Sequence, residues 1–395
     1  MKILILTTKF CHPDGSPWLV SELTDEFTRL GHQVTVLNVE WTRSSIQLSD
    51  RHQQNDNLEV NIFQAIHAEL GMLSVAIRWA LSSFKALPFL LKRCLSRERY
   101  DLMIGFSPCT ALYAILPLAR SISHDSCLIY WDFFPVHNQE ISGKAPTFSL
   151  PILKFVENKL VGLFSRVGCM SDKNLEFFNR YFGAVQKQQR SIIPIWTSFF
   201  GDDPSSRPNP RFAPASRKVV LVFGGQLVEG RGVIELCEAV IMAHREDPDI
   251  SLVICGAGFL SSRVLELQER YPAAIRYAGQ LSREAYFGIL GMSHIGVVAT
   301  VSNVSVPTFP SKSLDYMACG LPILASVEAA SDFGDFVEKN NIGKACPAGD
   351  IASMKAAILE MATSGEKLKI MGNNGNRYLR ANHSVQHVAH LIIGD

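Results

Sequence analysis

The second half of the chain sets two cations at the starts of two helices. In VFGGQLVEGRGVIEL (residues 222–236) a β-rich run ends at Gly224 and Gly225, and a helix begins near Gly230 to Gly232 with Arg231 at its start. In VPTFPSKSLDYMACGLPILAS (residues 306–326) Ser311 suits an N-cap, Lys312 falls in the first turn and Gly320 is the C-terminal stop. A helix N-terminus is already partly positive, so a cation there costs roughly 0.3–1 kcal/mol at an exposed site. An anion lodged between removes that conflict, and glycine lets it approach the backbone N–H groups. Leu314, Met317, Ala318 and Leu321 should face the core, leaving Ser311, Lys312 and Asp315 on the other face. A hydroxyl, an ammonium and open N–H groups suit a diphosphate; a carboxylate one turn on suits the vicinal hydroxyls of a ribose. The competing reading is a Lys312–Asp315 surface pair worth about a few tenths of a kcal/mol, with Arg231 solvated beside a tight turn.

Weaker signals surround this pair. CGAGF (residues 255–259) follows another β-rich run, so Gly256 either lines the same pocket or turns the chain. IYWDFFPVHNQE (residues 129–140) gathers Trp131, Asp132, His137 and Glu140 beyond a strand, either as a ligand contact or as ordinary loop packing. Gly15 and Ser16, in HPDGSPW (residues 12–18), either offer N–H groups to a phosphate or acceptor or simply turn the chain. A mixed apolar and basic segment opens on Leu70 and closes on Arg99. Its cations Arg78, Lys85, Lys92, Arg93, Arg97 and Arg99 suit an anionic bilayer surface; the alternative is core-packing helices with a solvated basic edge. His383, His387 and His390 have the spacing of one helical face, but no cysteine or acid completes a metal set, so a packing or surface role is expected.

These positions need a scaffold that puts strand ends and helix starts together. KILILTT, QVTVLNV, DLMIGF, CLIYW and RVGCM read as buried strands alternating with helices. After GDDPSSRPNPRFAPASRK the alternation restarts with KVVLVFGG, ISLVICGAG, IRYAG, IGVVAT and PILAS. Short strands alternating with helices predict parallel sheets covered on both faces. The expected plan is residues 1–200 as one Rossmann-like domain, 201–218 as a linker, 219–380 as a second, and 381–395 packing back on the first. Ligands in such sheets bind beyond the carboxyl ends of the strands, where the loops above fall.

The totals narrow the class. At 395 residues and 47% hydrophobic, the chain can bury two sizeable cores. A net charge of +1 gives no field toward nucleic acid. Nine scattered cysteines without a CxxC pair fit a reducing cytoplasm rather than zinc or disulfides. The N-terminus reads as a first strand and loop rather than a signal peptide, and Gly105, Pro108 and Pro117 break the longest uncharged run, so no transmembrane span is expected. TTKFCHPDGS lacks the GxGxxG opening of a nicotinamide-dependent dehydrogenase.

The order of elements and the motifs resemble two-Rossmann-domain glycosyltransferases of the GT-B fold, family 4 type. GQLVEGRG is similar to that family's "GRL…KG" element, with Gln226 where Arg is usual and Arg231 where Lys is usual. Asp315 in DYMACGLPI matches the second of its two glutamates, and Pro307 stands in place of the first. PSKSLDYMACGLPIL resembles a subgroup of bacterial O-antigen and capsule assembly, and WDFFP resembles its "DLWP", with Asp132 at the acid. The resemblance implies an α/β fold of two Rossmann-like domains facing each other across a cleft. It implies retaining transfer of a sugar from a UDP- or GDP-linked donor to a lipid-linked saccharide, at the inner face of the cytoplasmic membrane. Asp132, Arg231 and Lys312 would be catalytic. Gly225, Gln226, Arg231, Gly256, Ser311, Lys312 and Asp315 would bind the donor, with Gly15, Ser16 and His137 on the acceptor side. No metal or other cofactor is implied, because Arg231, Lys312 and the helix starts carry the diphosphate charge. Two rivals share the fold: a nucleotide-sugar 2-epimerase, and an inactive nucleotide-sugar-binding relative suggested by Pro307.

Overall fold

A computed structural model describes residues 1–11, 18–40, 51–64, 82–134, 136–137, 140, 150–183, 188–199, 218–363 and 365–394. Gly15, Ser16, residues 70–81 of the basic segment and residues 201–217 of the expected linker lie outside them. The chain divides into two compact units. One comprises Met1–Gln139, Lys144–Trp196 and Val385–Asp395; the other comprises Glu140–Gly143 and Thr197–Ser384.

The first unit is built on eight strands in the order β3-β4-β2-β1-β5-β6-β7-β8. They are β1 (Lys2–Thr7), β2 (Gln33–Val39), β3 (Arg51–Asn55), β4 (Leu58–Phe63), β5 (Tyr100–Phe106), β6 (Ser123–Tyr130), β7 (Arg166–Cys169) and β8 (Gln189–Ile192). All neighbours run parallel except β3 against β4. The central strands are buried along their length because helices cover both faces, so their sequences are continuous apolar runs rather than alternating ones. On one face Ile3, Ile5, Val34 and Val36 pack with Val20, Leu23 and Phe27 of helix Leu19–Arg29 and with Val385, Val388, Ala389 and Ile392 of helix Val385–Ile393.

The second unit has six parallel strands in the order β11-β10-β9-β12-β13-β14. They are β9 (Val219–Gly224), β10 (Ile250–Cys255), β11 (Ile275–Gly279), β12 (Ile295–Ala299), β13 (Ile323–Val327) and β14 (Gly343–Pro347). The order reverses between β9 and β12, which makes that gap the switch point where a crevice opens at the strand ends. The ladder confirms it. β9 pairs with β10 over six residues, from Ile250↔Val219 to Cys255↔Gly224, but with β12 only at Ile295↔Leu221 and Gly296↔Val222.

The histidine expectation needs correcting. Helix Gly365–Asn382 ends before His383, and a new helix begins at Val385, so His383 does not share a helical face with His387 and His390. His383 is buried against the Phe309 and Tyr378 rings. Among the described residues no group of His, Cys, Asp or Glu is arranged to hold a metal, and no helix is long and apolar enough to cross a membrane.

Candidate active site

The site in the second unit starts from two glycine turns at the ends of β9 and β10. Gly225 N–H donates to Cys255 C=O at 3.0 Å, Leu227 N–H to Ala257 C=O at 3.0 Å, and Leu260 N–H to Leu227 C=O at 3.0 Å. The two loops therefore stay laced together beyond the strands. Gly225 and Gly256 hold φ of +142° and +132°, which L side chains rarely adopt. A Cβ on Gly256 would also come within 1.8 Å of Gly225 O.

Lys312 reaches into this turn from the start of helix Lys312–Ala318. Its Nζ lies 3.7 Å from the Phe223 ring centroid, and a Cβ on Gly225 would lie 3.2 Å from it. Burial holds the Lys312 ammonium well below the ordinary lysine value, and the nearby Arg231 guanidinium pushes the same way. No Lys312–Asp315 ion pair forms, so the surface-pair reading of these two residues does not hold. Among the described residues neither Lys312 nor Arg231 has an ion-pair partner.

Arg231 closes a 3-10 turn, Glu229–Arg231, rather than opening the helix. Gly232 then adopts a left-handed conformation, φ +56°, and helix Val233–Glu246 starts after it. Behind this turn lies a group that sequence reasoning missed. Glu328, 3% exposed, accepts a hydrogen bond from the Thr300 hydroxyl, and its backbone N–H donates to Thr300 Oγ1 at 3.2 Å. Burial raises the Glu328 carboxyl above the usual range, while the Thr300 hydroxyl and Arg231 act in the opposite sense. An acid directly after the apolar run PILASV was the available signal.

Ser311 is exposed, and its backbone is already helical, so it makes no capping hydrogen bond. Ser313, inside the helix, instead ties the turn by donating its hydroxyl to Pro310 C=O at 2.7 Å, which caps no helix N–H. Leu314, Met317, Ala318 and Leu321 are buried as their spacing predicts, and Asp315 is partly exposed. Gln226 is exposed on the rim of the first glycine turn. Arg231, Lys312, Gly225 and Gly256 thus come together, with Gln226, Ser311 and Asp315 on the same loops and helix.

In the first unit, Asp132 is exposed just beyond β6. Its backbone N–H and that of Trp131 both donate to Ser107 Oγ, at 3.1 and 3.0 Å. Trp131 packs against Phe106 and Trp196. His137 is partly buried, with its N–H bonded to Phe133 C=O at 2.9 Å.

Residues 207–378 match the family described as Glycosyl transferases group 1. No curated protein sequence matches the chain. Among solved structures, a sucrose-phosphate synthase from Thermosynechococcus elongatus is similar over 100% of this chain and 98% of its own, with TM-score 0.74 and 15% identity. A trehalose-6-phosphate protein from E. coli, bound with UDP-2-fluoro glucose, covers 100% and 98% at TM-score 0.71 and 11% identity. Anabaena Alr3699/HepE, in complex with UDP, covers 100% and 99% at TM-score 0.64 and 16% identity. At these identities the structures speak for the GT-B fold. The family match and that fold together support a glycosyltransferase.

Proposed function

We propose, from the match of residues 207–378 to group 1 glycosyltransferases, that the chain is a retaining, metal-independent transferase using a nucleotide-diphosphate sugar. The observation that carries this reading is the spacing at Gly225. A ligand oxygen taking the place of the missing methyl there would meet Lys312 Nζ at hydrogen-bond range, 3.2 Å. Two cations with no ion-pair partner among the described residues then serve the diphosphate.

In this reading the donor's C1–O bond breaks, and charge grows on the β-phosphate. Lys312 and Arg231 stabilise that charge more than they stabilise the bound donor, which lowers the barrier. The acceptor hydroxyl bonds to C1 from the face the phosphate leaves, and its proton passes to a phosphate oxygen. Gly225, Gln226, Gly256 and Ser311 line the donor's phosphates, and Asp315 takes the ribose hydroxyls. Asp132 orients the sugar or acceptor, with His137, Gly15 and Ser16 on the acceptor side.

The acceptor assigned here is a lipid-linked saccharide of surface polysaccharide assembly, met at the cytoplasmic face of a membrane. Phe84, Pro88, Leu91 and Leu95 are exposed at helical spacing, beside exposed Lys92, Arg97 and Arg99. That apolar stripe with a basic rim suits anionic lipid. Arg93 is not part of the rim, because it is held by Glu59 and Glu98 at 2.6 Å each. Lys85 donates to Gln64 C=O at 2.8 Å.

A thermal-shift panel of UDP- and GDP-sugars, then a transfer assay with the best donor in EDTA, tests the reading. Stabilisation by one donor and transfer to a lipid-linked saccharide are expected. Binding without transfer would favour an inactive relative, and release of an epimerised donor without acceptor would favour the epimerase.

A further inference from the structure

We propose that Tyr316 is a positioning residue, its hydroxyl wedged between β9 and β12 so as to hold the Gly224–Gly225 turn at the spacing from Lys312 that a diphosphate needs. The consequence for binding rests on the nucleotide-sugar reading above; the wedge does not.

β9 and β12 part after Gly296↔Val222. Beyond that rung Tyr316 Oη stands between them, accepting from Gly224 N–H at 3.1 Å and donating to Val297 C=O at 3.1 Å. The Tyr286 hydroxyl stands beside the same turn, close to Gly224. One accepted and one donated bond satisfy a phenol, so a side chain at 0% exposure finds its partners within the sheet. An ordinary core tyrosine needs only one such partner.

Two glycines make the room. A Cβ on Gly296 would approach the Tyr316 ring to 2.4 Å, and one on Gly224 would approach Tyr286 Oη to 2.4 Å. Tyr316 also lies one turn after Lys312 on the same helix. That helix therefore gives Gly224 its hydrogen-bond acceptor and brings the ammonium to Gly225. It cannot slide along the strands without breaking the wedge, so the crevice at the switch point and the cation–backbone spacing are set by one element. Phenylalanine would fill the same volume and leave Gly224 N–H and Val297 C=O without their partner.

The test compares wild type with Tyr316→Phe in two ways. Amide exchange is read on protein labelled with ¹⁵N-glycine. Gly224 should exchange at least about tenfold faster in the variant, while Gly296, whose N–H donates to Pro322 C=O at 2.9 Å, should be unchanged. Calorimetry with UDP, GDP, UMP and GMP should show the preferred diphosphate weakened at least about tenfold and its monophosphate within about twofold. A fall in the diphosphate alone separates positioning at the second phosphate from general loosening. Unchanged Gly224 exchange overturns the wedge. Faster exchange with equal or no loss for diphosphate and monophosphate overturns the positioning role. A wild type that binds none of the four nucleotides overturns the nucleotide-sugar reading and the positioning role with it, while the exchange arm still decides the wedge. If Tyr316→Phe does not fold, the wild type decides alone: Gly224 N–H should exchange at least about a hundredfold more slowly than an unstructured glycine amide, and unprotected exchange would overturn the wedge.

Discussion

Lys312 Nζ sits 3.7 Å from the centroid of the Phe223 ring, so the last aromatic residue of β9 backs an ammonium that has no ion-pair partner among the described residues. A ring face attracts a cation by roughly 0.5–2 kcal/mol, depending on desolvation. It does so without neutralising the charge, which remains available to an incoming anion.

Replacing Lys312 should therefore separate activity from stability. Lys312→Met is expected to lower turnover by roughly 10²–10³ and leave the circular dichroism spectrum unchanged. Burial holds the Lys312 pKa well below the ordinary 10.5. Between those two values the unfolded chain binds more protons than the folded one, so stability rises with pH across that window. Urea midpoints measured over that range should rise in the wild type by more than in Lys312→Met.

The same shift makes nucleotide binding proton-linked. A diphosphate beside Lys312 raises its pKa, so binding takes up protons at any pH between the free and bound values. Calorimetry with UDP or GDP in buffers of different ionisation enthalpy should show proton uptake, and Lys312→Met should abolish it.

Gly256→Ala should damage the donor turn from within. Its Cβ would come 1.8 Å from Gly225 O, on a backbone at φ +132°. A misplaced residue in that region costs roughly 1–3 kcal/mol. Lower thermal stability and loss of the thermal shift by nucleotide are expected together.

Glu157 offers a test confined to the first unit. This fully buried carboxylate accepts from Cys109 N–H at 2.8 Å, Thr110 N–H at 2.7 Å and the Thr110 hydroxyl at 2.6 Å. Glu157→Ala strands two backbone donors, each worth about 1–3 kcal/mol when left unsatisfied. Burial raises the Glu157 carboxyl above its usual value. Between the two values the folded state binds more protons, so this residue's contribution to stability falls as pH rises, and Glu157→Gln should remove that slope. All five tryptophans lie in the first unit, so fluorescence during urea unfolding reads it selectively.

The exposed stripe can be tested without touching the site. Leu91→Glu with Leu95→Glu should reduce flotation with phosphatidylglycerol vesicles by roughly tenfold or more. Turnover with a short water-soluble acceptor should not change. Equal flotation of wild type and variant would remove this face from membrane contact.

How much of this was legible in the sequence follows from burial. β1, β2, β5, β9, β10, β12 and β13 are covered on both sides and read plainly as apolar runs. β3 (RHQQN), β8 (QRSI) and β14 (GKACP) lie at sheet edges, where polar residues are tolerated, and they escape such reading. Arg231 and Lys312 drew attention because a cation at an expected helix start is out of place, although Arg231 closes a turn before its helix. Ser311 was misread because its own backbone is already helical, which a sequence pattern does not reveal. Tyr316 was hidden because an apolar ring at helical spacing looks like plain core. Its role depends on where β9 and β12 separate, which no local pattern encodes.

Helix Val385–Ile393 has one further consequence, for the order of synthesis. It supplies Val388, Ala389 and Ile392 to the core that helix Leu19–Arg29 begins, and Arg166 Nη1 donates to Ile392 C=O at 2.7 Å. A ribosome adding about 5–20 residues per second needs roughly 10–40 s to travel from Trp196 to Val385. Throughout that interval the earlier-made unit lacks one wall of its interior, and Val20, Leu23 and Phe27 await their cover while the whole of the later unit is translated. The first half to leave the ribosome is thus the last to be finished.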